Sequence, residues 1–110
     1  MGNLICTTTD KKLMYNVSAG GKAEQFIDSI GAEFVVQDII QYEQTRDDSL
    51  AVCTNLVSTD GKVYQTLSPI VNEAVQRLVE VFDIKNEEVR IRIGKEQSKG
   101  KRDYLTLEVI

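Results

Sequence analysis

Ser68-Pro69-Ile70-Val71-Asn72-Glu73-Ala74-Val75-Gln76-Arg77-Leu78-Val79-Glu80-Val81-Phe82 is the stretch whose reading decides the fold. Ser68 can cap free amides and Pro69 suits the first helical position. Ile70, Val71, Ala74, Val75, Leu78, Val81 and Phe82 then fall on one side at helical spacing, which predicts an amphipathic helix with a face to bury. On its N-terminal side two apolar runs, 50–58 and 63–66, flank Thr59-Asp60-Gly61-Lys62. Asp-Gly between such runs predicts a hairpin, because a tight primed turn needs positive φ. On its C-terminal side Val89-Arg90-Ile91-Arg92-Ile93 alternates, as do Leu105, Leu107 and Val109 within 104–110. These predict a second hairpin around a flexible loop, 94–103.

Further out, Phe34-Val35-Val36 and Ile39-Ile40-Gln41-Tyr42 give residues 32–44 the composition of a long curved strand, with Gln37-Asp38 marking a bulge. Thr45-Arg46-Asp47-Asp48-Ser49 reads as a loop. Residues 4–9 read as a strand ending at the polar break Asp10-Lys11-Lys12, with 13–17 as its hairpin partner. Gly20-Gly21 breaks the pattern, and Ala23, Phe26, Ile27 and Ile30 suit a short helix or helical turn over 22–30 that Gly31 stops. Strands, one helix and a closing hairpin make a mainly β chain: an OB-like five-stranded Greek-key barrel with its amphipathic helix between strands 3 and 4. Residues 1–110 are expected to form one OB-like domain, since 110 residues with 42% apolar content suit one core and no repeat or linker interrupts them.

The absence of histidine removes the commonest general base and metal ligand, and two cysteines cannot make a four-thiolate site. Cys6 and Cys53 are expected to be reduced, small structural residues. Asp47-Asp48 and Glu87-Glu88 are adjacent pairs that do not converge on an ion, and Gly20-Gly21-Lys22 lacks the spacing of a phosphate loop. The reading is therefore a non-enzyme with no cofactor. No run approaches a membrane span, Met1-Gly2 lacks a Ser or Thr where Cys6 stands, and the N-terminus lacks the build of a signal peptide. The expected location is the cytoplasm.

Net charge is −4, from 13 basic and 17 acidic residues, so nucleic-acid binding would need a local basic patch. Residues 89–102 supply one: Arg90, Arg92, Lys95, Lys99, Lys101 and Arg102 against Glu96 alone, net +5. Seven cations against sixteen acids leave −9 elsewhere. Strand alternation points Arg90 and Arg92 to one face, beside Tyr104 and Thr106 of the partner strand. Cations for phosphates beside a ring for stacking are what single-stranded nucleic acid requires. Tyr42 and Tyr64, in other strands, are further candidate rings. The competing reading is a solvated lysine-rich edge that keeps strands from aggregating.

Ile30-Gly31 leading into a strand, Ser58-Thr59-Asp60-Gly61-Lys62-Val63-Tyr64-Gln65-Thr66-Leu67-Ser68 running into the helix, and a basic hairpin closing on Tyr104-Leu105-Thr106-Leu107-Glu108 resemble a group of small phage-encoded single-stranded DNA-binding proteins. The likeness covers about residues 30–110. It implies an OB-like fold, binding of single-stranded DNA without sequence specificity, and a role in phage replication or recombination inside a bacterial host. Cellular relatives end in an acidic tail that recruits partners, whereas 107–110 here read as strand. Candidate partners are single-stranded DNA, replication or recombination proteins and further copies of the chain. The alternative is a phage protein that inhibits a host enzyme through an acidic face of Asp38, Glu43, Asp47 and Asp48.

Overall fold

A long strand of β-branched and aromatic residues, bent at one bulge, frames the molecule. In the computed structural model, which describes residues 4–19, 23–100 and 102–110 and leaves the Arg46 side chain aside, this strand is β2 (Glu33–Arg46). It is preceded by α1 (Lys11–Ala19), β1 (Glu24–Gln25) and a single 3-10 turn (Phe26–Asp28). β3 (Ser49–Ser58), β4 (Val63–Thr66), α2 (Pro69–Val81), β5 (Arg90–Gln97) and β6 (Asp103–Val109) follow. The six strands form a curled mixed sheet, a half-barrel, in the order β1-β4-β3-β2-β5-β6. Among the described residues only the β1–β4 pairing is parallel.

Register explains the curl. β2 pairs with β3 from Arg46↔Ser49 back to Asp38↔Val57, then slips at the expected bulge between Val36 and Asp38. Beyond it, Glu33, Phe34 and Val35 pair with Arg92, Ile91 and Arg90 of β5. The edge that β5 leaves free is taken by the N-terminal segment: Thr7 N–H donates to Ile39 C=O at 3.0 Å and Gln41 N–H to Ile5 C=O at 2.7 Å. The Asp38 carboxylate, 2% exposed, ties the bulge together by accepting from Thr7 Oγ1 at 2.8 Å and Lys85 Nζ at 2.6 Å.

α2 begins as expected, with Ser68 Oγ accepting from Val71 N–H and Pro69 in the first position. Val71, Val75 and Leu78 pack into the main core with Phe34, Val36, Ile39, Leu56, Ile91 and Ile93. The apolar face is narrower than the spacing suggested, because Ile70 and Val81 stay exposed. Past the apolar contacts, Gln41 donates to Thr54 and Asn72 at 3.0 and 2.7 Å, so this buried amide is satisfied.

The opposite sheet face carries a second, smaller core of Val17, Ile40 and Val57, with Leu13, Met14, Tyr42 and Val63 beside it. Residues 13–17 are thus helix and not a hairpin strand. The Asp10 carboxylate accepts from the N–H groups of Lys12 and Leu13 and caps α1, so the polar break is a helix start. Residues 4–9 form only an isolated bridge, Cys6↔Ile40. The short helix or helical turn expected over 22–30 is a single 3-10 turn, Phe26–Asp28; Phe26 is buried while Ile27 and Ile30 are exposed. The expected 45–49 loop is shorter: Asp47 and Asp48 alone turn the chain at φ 51° and 63°, the two-residue pattern of a primed hairpin turn. At the Asp-Gly hairpin only Gly61 has positive φ, and the wider 59–62 connection is held by Ser58 donating to Asp60. The Gly20-Gly21 break lies outside the described residues.

The core makes a direct prediction. Leu78→Ala is expected to cost about 2–5 kcal/mol in denaturant melting. Val81→Ala, at a side chain 66% exposed, should stay within about 0.5 kcal/mol.

Candidate nucleic-acid interface

β5 and β6 pair from Ile91↔Val109 to Gln97↔Asp103, so the strands run further into the expected 94–103 loop than the sequence pattern indicates. Alternation buries Ile91 and Ile93 and turns Arg90 and Arg92 outward. The outward row is interleaved with acids. Arg92 Nη2 bonds Glu108 at 2.8 Å and its Nη1 lies 3.5 Å from Glu33, whose strand pairs with β5. The Glu108 hydrogen bond, then its charge, raises the guanidinium pKa further. The Tyr104 hydroxyl donates to Glu96 at 2.9 Å, which raises its pKa.

Lys95 falls on the other alternation and pairs with Asp103 at 3.6 Å, so the expected cation ladder does not run through it. Arg90, Lys99 and Arg102 are exposed and carry no ion pair within 4.0 Å among the described residues. Lys101 lies outside the described residues.

Two of the candidate ligand contacts are covered. Tyr64, 7% exposed, stacks on Phe34 with ring centroids 4.3 Å apart and planes 10° from parallel, which commits it to the core. Thr106 stands opposite Gly94, and its Oγ1 is buried without a hydrogen-bond partner. A Cβ on Gly94 would lie 2.5 Å from that oxygen, so the missing side chain is what lets the hydroxyl fit.

Tyr42 is half-buried beside α1, and its hydroxyl accepts from Gln65 Nε2 at 3.1 Å. Gln65 also donates to Asn55 Oδ1 at 3.0 Å and accepts from Gln25 Nε2 at 3.2 Å. The result is a polar ladder across β2, β3, β4 and β1 that the sequence reading did not single out. Its signal was present in part, as amides inside otherwise apolar strands. Burial, followed by the hydrogen bond and charge of Cys53, pushes the Tyr42 pKa up to about 12.

The acidic face also changes. Asp38 is buried in its pair with Lys85, while Glu43, Asp47 and Asp48 are exposed. Cys53 is buried as expected; Cys6 is exposed, its thiol 3.4 Å from Thr8 C=O. Among the described residues no group of three acidic or thiol side chains could hold a metal ion, and no helix is long and apolar enough to cross a membrane.

A family model described as Phage Single-stranded DNA-binding protein matches residues 4–110. No curated protein and no solved structure gives a significant match.

Two outcomes follow from the covered groups. Thr106→Val removes an unpaired buried hydroxyl while keeping its shape, so stability should be unchanged or higher in denaturant melting. For Tyr42, a pKa raised on folding means stability present below the unfolded value near 10 and lost as pH climbs toward about 12. Melting across that window should show a loss in the wild type that Tyr42→Phe reduces.

Proposed function

The chain belongs to the phage single-stranded DNA-binding protein family, and from that premise we propose that it coats single strands without sequence specificity during phage DNA replication or recombination. The observation that carries the choice of surface is the β5–β6 hairpin. Arg90 stands at its base, Lys99 and Arg102 at its turn, all three exposed and free of ion pairs among the described residues. Phosphates attract unpaired surface cations, and a ring beside them can stack on any base, which gives affinity without sequence readout. Tyr104, half-exposed and steadied by Glu96, is the ring next to the turn.

Arg92 plays a lesser part in this reading. Held between Glu33 and Glu108, it forms a group of net charge −1, so a phosphate gains little there. Lys95 is offset in the same way by Asp103.

Titration of labelled oligo-dT across a salt series tests the assignment. Single strands lose log affinity against log salt with a slope of about −0.7 per phosphate contact, so Arg90→Ala with Arg102→Ala should reduce the slope by about 1.4. Arg92→Ala should change it by much less. Tyr104→Ala should weaken binding by about 1–3 kcal/mol, and Tyr104→Phe, which keeps the ring, by little. An unchanged slope in the double variant would remove the hairpin from the contact surface.

A further inference from the structure

Tyr15 is 72% exposed, the most exposed of the large apolar and aromatic side chains among the described residues. It lies on α1, whose Leu13, Met14 and Val17 face inward against Ile40, Val57, Tyr42 and Val63. Helical spacing puts Lys11 on the same outward side as Tyr15, one turn earlier, with exposed Lys12 adjoining. No acidic residue lies within α1. The preceding carboxylate, Asp10, is occupied in capping the N–H groups of Lys12 and Leu13, and neither lysine has an ion pair among the described residues. A ring held in water beside two uncompensated ammonium groups has the chemistry of a stacking platform with phosphate contacts.

Strand alternation relates this position to the hairpin. The second core, which α1 covers, lies on the sheet face opposite the main core. Arg92 and its partners Glu33 and Glu108 project from that same side, since Ile91, Ile93 and Phe34 fill the other. The outward surface of α1 and the outward row of the hairpin therefore lie over the same face of the curled sheet.

We propose that Lys11, Lys12 and Tyr15 form a second contact for single-stranded DNA, in which Tyr15 stacks on a base and the lysines meet the flanking phosphates. This rests on the DNA-binding reading above and adds a site to it. The ligand follows from charge complementarity: cations and an unpaired ring suit an unpaired polyanion with exposed bases.

The test is titration of labelled oligo-dT against the full chain, with melting run in parallel. Tyr15→Ala should fold with an unchanged melting temperature and bind about five- to a hundredfold more weakly, while Tyr15→Phe binds like the wild type. Lys11→Ala with Lys12→Ala should lower the salt slope by about 1.4. Wild-type binding matched within twofold by Tyr15→Ala, or an unchanged slope in the lysine variant, would overturn the second contact and leave the hairpin reading standing. Failure of the wild type itself to bind oligo-dT would overturn the reading on which both rest.

Discussion

The Asp38 carboxylate is the constraint on which the rest depends. Removing a carboxylate from water costs several kcal/mol unless partners replace its hydration. Here Thr7 and Lys85 do so, one from the N-terminal segment and one from the link between α2 and β5. Its place at the bulge matters more than its energy, because there β2 stops pairing with β5 and starts pairing with residues 5–7. One buried group thus joins three parts of the chain where the sheet changes partners.

From that bulge come two faces with different duties. Phe34, Val36 and Ile39 point toward α2, whereas Ile40 points toward α1. The same shift brings Glu33 beside Arg92 at one end of β2 and leaves Tyr42 beside Gln65 further along. The main core is sealed by aliphatic side chains around the Phe34–Tyr64 stack. The other side is covered only in part, by a nine-residue helix, so it can present cations, rings and amides to solvent.

Elements whose signals are local were legible in the sequence. α2 carries its own cap, proline and apolar stripe, and 90–93 and 105–109 carry their own alternation. Residues 4–19 were not, because Thr7, Thr8 and Thr9 have strand composition while Thr7 bonds to Asp38 and Ile39, more than thirty positions away. Asp10 suits a turn as well as a cap, and only the landing of Leu13 and Val17 on the sheet decides between them. The site divides in the same way. The outward direction of Arg90 and Arg92 follows from alternation, but Glu33 reaches Arg92 only through strand order. The fate of the tyrosines is likewise non-local, since Tyr64 is committed by its stack on Phe34, thirty positions earlier.

A chain of net charge −4 can still attract a polyanion, because phosphate responds to local potential within a screening length of about 8–10 Å. Several acids are already engaged: Asp38 with Lys85, Asp103 with Lys95, Glu33 and Glu108 with Arg92, and Asp10 and Asp60 in local hydrogen bonds. These acids are held near groups of opposite charge or at backbone donors, which shortens the reach of their fields. Arg90, Lys99 and Arg102, which have no ion pair among the described residues, gain in relative weight. Salt bridges on this surface therefore do little for stability when exposed, yet they set which cations the proposed contact leaves available to a phosphate.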